Sequence, residues 1–116
     1  PNSNQIQTWK FELDSVKSNE AEMLDIDLEK TLVSKYNLTI VYGKSLEGNL
    51  NIPMSATSST EGFVSGTNWK PIDIMVNRTN DNRKFEYVVY GIVEWKLLGT
   101  TFYFQPKEFK GIALTK

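Results

Sequence analysis

The chain has 116 residues, 40% of them hydrophobic and 23% charged, with no histidine and no cysteine. That size and balance describe one hydrophobic core, a single domain over 1–116, and exclude wholesale disorder, collagen-like repetition and a coiled coil. The missing residue types remove the imidazole base, the thiol nucleophile, the commonest metal ligands and any disulfide.

Thirteen basic and fourteen acidic residues leave a net charge of −1. Lys and Arg are scattered singly, so the basic stripe that nucleic acid requires is absent and no nucleic-acid partner is expected. No run approaches the roughly 20 apolar residues of a membrane span, so no membrane insertion is expected either. The start at Pro1, without an initiator methionine, fits a processed chain or an excerpt of a longer one. Together with the lack of cysteine it suggests a bacterial protein, secreted or at the cell surface after signal-peptide removal.

Gln5 to Val16 alternates, Trp9, Phe11 and Leu13 on one face and Lys10, Glu12 and Asp14 on the other, which predicts a half-buried strand. Glu20 to Lys35 reads two ways. With period 3.6, Ala21, Leu24, Leu28, Leu32 and Tyr36 form a stripe behind an Asn19/Glu22 capping box, a helix over 19–35. With period 2, Leu24, Ile26 and Leu28 alternate with Asp25, Asp27 and Glu29. The helix would bury Asp25 and expose Met23, Ile26 and Val33, so the strand is preferred over Leu24 to Glu29.

Tyr36 to Tyr42 and Asn49 to Met54 predict a hairpin about the Gly43 to Gly48 turn region, with Pro53 ending the second arm early or placing it on an edge. Ser55 to Asn68 is Ser-, Thr- and Gly-rich and reads as a long loop anchored only by Phe63 and Val64, closed by Trp69. A strand through Ile72, Ile74 and Val76 follows. Phe85 to Leu98 is the strongest strand, one face apolar throughout and the other only in its middle, with a bend or bulge expected at Gly91. A type II′ turn at Gly99-Thr100 predicts Leu97 opposite Phe102, Trp95 opposite Phe104 and Lys96 opposite Tyr103. Pro106 then stops this arm, and Gly111 to Thr115 makes a short last strand.

These elements add up to a mainly β protein, a single-domain antiparallel β-sandwich of about seven strands, Ig-like in size, with the α+β variant carrying a helix near 19–35 as the alternative. No catalytic site, cofactor or metal site is expected. No carboxylate pair stands out for glycoside hydrolysis, no nucleophile elbow or phosphate loop occurs, and Asp25, Asp27 and Glu29 read as a solvated strand face. The chain is therefore not expected to be an enzyme.

Its aromatics, 12% of the chain, are the candidates for ligand binding. Trp9 and Trp95 lie in apolar rows and read as core. Trp69 and Phe63 on the loop, with Tyr90 and Tyr103 on the mixed face of the long hairpin, are the binding candidates. The expected function is a non-enzymatic extracellular interaction module of a bacterial secreted or surface protein, taking a protein or carbohydrate ligand. The alternative is a structural subunit of a pilus, fibre or phage particle, self-associating through the edge strands at Ile6 to Leu13 and Ile112 to Thr115.

Overall fold

A computed structural model describes residues 8–11, 21–30, 34–46, 48, 50–62 and 66–115. The described residues form seven strands: β1 (Trp9–Lys10), β2 (Glu22–Lys30), β3 (Ser34–Lys44), β4 (Asn51–Gly62), β5 (Thr67–Arg78), β6 (Lys84–Leu97) and β7 (Thr100–Leu114). All pairings are antiparallel. One sheet has the order β1-β4-β3-β2, a Greek-key arrangement, and the other is the meander β5-β6-β7. No helix occurs among the described residues, and the two sheets make the β-sandwich expected from the alternation.

The core follows the period of 2. Tyr36, Leu38, Ile40 and Tyr42 on β3 face Phe85, Tyr87, Val89 and Val93 on β6, all buried. Leu24 on β2, Ile74 and Val76 on β5 and Ala113 on β7 fill the flanks, with Trp9 and Phe11 packed against them. Over Glu22–Lys30 the strand prevails: Leu24 is buried while Asp25 and Asp27 are exposed, the segregation that a helix could not achieve. The rest of the strand expected over Gln5 to Val16 falls outside the described residues beyond 8–11.

The long loop is corrected to strand. Ser55 to Gly62 is the second half of β4, paired residue for residue with Lys35 to Val41 and Ser34, and Thr67 and Asn68 already belong to β5. Its Ser/Thr/Ala composition serves packing. Ala56 and Ser58 turn inward and are buried, and the Ser58 hydroxyl donates to the Asn37 carbonyl at 2.7 Å. The small side chains leave room for an indole: Trp69 Nε1–H donates to Ser58 Oγ at 3.1 Å.

Two prolines sit within strands, Pro106 where a stop was expected and Pro53 where an early end or an edge was expected. Pro53 lies in β4 opposite Tyr42, where a bulge between Val41 and Tyr42 interrupts the ladder, and β1 pairs with β4 only at Ser55 and Ala56, with Phe11 N–H donating to Met54 O. Pro106 lies in β7 opposite Ile92, and β7 is an edge strand, where a missing donor is tolerated. The arm and the short last strand are thus one strand of 15 residues.

The irregularity expected at Gly91 is a bulge on the facing strand: Tyr90 pairs with Asp73 and Gly91 with Pro71 and Lys107, which leaves Ile72 of β5 as the extra residue beside Gly91. Glycine is required there because a Cβ would overlap Cη2, Cζ3 and Cζ2 of Trp69. That indole cannot give way, being set edge-on to Tyr36 (5.3 Å between centroids) and Phe109 (6.0 Å). On the same side, Lys107 of β7 reaches across to β2, 2.9 Å from Glu29 Oε1, and lies over the Tyr36 ring. A bulge at Leu28 turns Glu29 to pair with Tyr36, away from the face of Asp25 and Asp27, so the three acids do not share one face.

The opposite end is tied by amides. Asn51, 4% exposed, donates its backbone N–H to Asn82 Oδ1 (2.7 Å) and its side-chain amide to Asn82 O (2.8 Å), and accepts from Lys44 at 2.6 Å. These bonds join the β3–β4 turn to the β5–β6 turn.

Gly91→Ala is expected to destabilise the fold by about 1–3 kcal/mol, the usual range for overpacking a well-filled core. Thermal or urea unfolding measures this, and an unchanged midpoint would show that the indole has room to move.

Candidate interaction surface

With the core assigned, the distribution of exposed apolar side chains becomes informative. Of the fourteen large hydrophobic residues exposed among the described residues, eleven lie on β5, β6, β7 and the turn between β6 and β7. They form two regions, the outer face of the three-stranded sheet and the tip of the β6–β7 hairpin.

The outer face is built by register. Across β5, β6 and β7 the rows read Lys70, Ile92, Pro106; then Asp73, Tyr90, Glu108; then Met75, Val88, Lys110; then Asn77, Glu86, Ile112. Tyr90 and Met75 are exposed at its centre, beside half-buried Val88 and Ile92. Charge surrounds this apolar centre: Lys110 lies 3.5 Å from Glu108, and Lys70 lies 3.5 Å from Glu94. The Tyr90 hydroxyl donates to the Glu108 carboxylate, and that bond, with the adjacent negative charge, raises the phenol above its ordinary range. Glu94 is held below the usual carboxylate range chiefly by the Asn68 amide, with Lys70 contributing.

The tip differs from its expected geometry by one residue. Leu98 (φ +55°) and Gly99 (φ +80°) are the two central turn residues, both left-handed as in a type I′ turn, and Leu97 pairs with Thr100. A bulge at Phe102 then restores the lower register, so Trp95 pairs with Tyr103 and Glu94 with Phe104. Since one residue of slip exchanges the faces of a strand, Tyr103 leaves the mixed face of Tyr90 and joins the row of Val93 and Trp95. The two tyrosines are on opposite faces.

Trp95 is likewise corrected from core to surface. It pairs with Thr67 at the very start of β5, and at 39% exposed neither it nor Tyr103 is covered by the four-stranded sheet. Its indole N–H donates to Gln105 Oε1 at 3.2 Å. Leu98 is 96% exposed in a backbone conformation that disfavours any residue with a Cβ. Phe102 and Phe104 are exposed beside it.

The other site expectations fare differently. Trp69 is half-buried between the sheets, against the core, and not at a loop surface; Phe63 lies outside the described residues. Among the described residues no group of three or more acids could hold a metal ion. A hollow of about 70 Å³ between Leu50, Asn51, Thr79 and Asn82 is far below the roughly 300 Å³ at which small-molecule pockets begin. What sequence reasoning missed is the tip as a whole, although Trp95 to Phe104 places six large apolar residues about a turn with no acid among them.

Compared with protein-family models, curated proteins and solved structures, the chain matches none.

Because the folded pKa of Tyr90 is raised, the stabilisation from its bond to Glu108 is fully present below the unfolded value of about 10 and is lost as pH rises through the folded value. Glu108→Gln is expected to bring the Tyr90 titration back toward that ordinary value. NMR titration of the ring resonances checks this; a midpoint unmoved by the substitution would contradict the assigned cause.

Proposed function

We propose that the chain is a non-enzymatic interaction module of a bacterial secreted or cell-surface protein, binding a protein or carbohydrate ligand on the outer face of the three-stranded sheet around Tyr90. The observation that carries this reading is the concentration of exposed apolar side chains on that sheet. A half-exposed tyrosine and methionine ringed by ion pairs has the apolar centre and polar rim of a contact surface. The absence of His and Cys argues the same way, leaving the molecule to act through aromatic faces, hydroxyls and backbone edges. Trp69 and the Ser/Thr-rich segment drop out of this reading because they are packed in the fold, and Tyr103 belongs to a separate region.

A second reading, a structural subunit of a pilus, fibre or phage particle, is supported by β7, an edge strand of 15 residues, and by β1 at an edge of the other sheet. Pro106 within β7 and the lysines that follow it weigh against strand addition along its whole length, since proline and charge are the devices that blunt edges.

Glycan-array binding and affinity capture with the full chain test the first reading. Tyr90→Ala and Met75→Lys are expected to abolish the captured signal while shifting the unfolding free energy by about 1 kcal/mol or less, the size of a cross-strand pair. A ligand retained equally by both variants sinks the assignment of the surface. For the second reading, sedimentation velocity is expected to show mass growing with concentration, and a monomer at every concentration rejects it.

A further inference from the structure

The hairpin tip has properties that the outer face lacks. A protein partner lying on a sheet touches one of its faces, yet the tip is apolar on both: Trp95 and Tyr103 project to one side, Phe104 to the other, and Leu97 and Leu98 crown the apex. An environment that wraps the hairpin satisfies all of them; a flat partner does not. Leu98 sharpens the point. Asparagine is the favoured residue at the first position of such a turn before glycine, so an almost fully exposed leucine held at φ +55° serves nothing in the fold.

Charge selects the medium. Between Glu94 and Glu108 the sequence carries Lys96 and Lys107 and no acid, and with Lys107 paired to Glu29 the charge left to the tip is Lys96, in a chain whose net charge is −1. Glu94 is already engaged by Asn68 and Lys70 at the base. The order along the hairpin, leucines at the apex and Trp and Tyr with their polar groups behind, is the order in which these side chains sit across a membrane interface. From apex to the Trp95–Tyr103 pair is three residues, or about 10 Å, which matches the depth of interfacial seating and is far short of a hydrocarbon core of about 30 Å. At that depth the outward N–H and C=O groups of the hairpin still reach headgroups and water.

We propose that the apex of the β6–β7 hairpin seats in the interface of an anionic lipid bilayer, with Leu97 and Leu98 among the upper acyl carbons, Trp95 and Tyr103 at headgroup level and Lys96 toward the phosphates. This departs from the sequence-based expectation of no membrane insertion, but only as far as one leaflet, and nothing spans the bilayer. This surface is separate from the one around Tyr90, so either can fail alone.

The test is vesicle co-sedimentation of the full chain with phosphatidylcholine alone and with phosphatidylcholine containing phosphatidylglycerol, read together with a blue shift of tryptophan fluorescence that Trp95→Phe removes. Wild type is expected to bind the anionic vesicles more tightly. Leu98→Asn, which suits the turn and keeps or raises the melting temperature, is expected to weaken binding about tenfold, the effect of withdrawing one leucine from an apolar phase. Lys96→Glu is expected to erase the preference for the anionic composition, while Tyr90→Ala leaves vesicle binding unchanged. No binding to either vesicle overturns the proposal, as does Leu98→Asn binding like wild type; equal binding of wild type to both compositions overturns the anionic assignment. A protein ligand lost with Leu98→Asn in the absence of vesicle binding also overturns it, giving the tip to a protein pocket.

Discussion

Everything at one end of this sandwich depends on where a single indole is allowed to lie. Trp69 rests against Gly91 of the neighbouring strand, bonds through its N–H to Ser58 of the other sheet and packs edge-to-face with Tyr36 and Phe109. Four strands therefore contribute to one ring. The absence of a Cβ at Gly91 lowers the indole into the sheet, and the small Ser58 leaves space for it below the opposing layer. Lys107 closes the margin by joining Glu29 and covering Tyr36, whose hydroxyl is raised above its ordinary range by burial, against the opposing pull of Lys107. Farther along that face of β6, Val93 is still buried and Trp95 is already at the surface.

How far the fold could be read from the residues depended on whether the cue was periodic. Phe85 to Leu97 and Tyr36 to Tyr42 alternate in hydrophobicity and are strands with the inward faces that alternation implies. Leu24 to Glu29 was equally regular in two periods, and the burden of burying Asp25 decided it correctly. Ser55 to Gly62 was illegible because its inward residues, Ala56 and Ser58, are small and polar for a reason that lies in tertiary space, the indole above them. Pro53 and Pro106 were misread because strand-breaking is a property of position: one stands beside a bulge, the other on an edge, and neither circumstance is visible locally.

The candidate surface was legible in its chemistry and illegible in its geometry. Absence of His and Cys turned attention to aromatics, and Tyr90 does stand at the centre of an exposed face. The turn was the obstacle. Gly99 suits either of two turn types; choosing Gly99-Thr100 over Leu98-Gly99 moves the returning strand by two residues and keeps its faces, and it is the single extra residue at Phe102 that exchanges them. The choice could not be made locally, because the structure places an energetically unfavourable leucine in the turn and absorbs the mismatch with a bulge at Phe102. The residues that defy the local rule are those at the exposed tip.

The amide cluster about Asn51 has a consequence for how the molecule yields. At that end, hydrogen bonds from Asn51 to Asn82 and Thr115, and from Thr115 to the Arg83 carbonyl, fasten the β3–β4 and β5–β6 turns to the end of β7. At the other, the contacts of Lys96 to Thr101 among the described residues are chiefly with their own hairpin partners, and the Lys96 backbone N–H donates to Gly66 O at 2.8 Å. Opening should therefore be graded along the 54 Å axis, with amide protons at the hairpin apex exchanging by local fraying and those near Asn51 only when the whole sandwich comes apart. Such a gradient lets the apex change its shape against whatever it touches while the layers beneath stay closed.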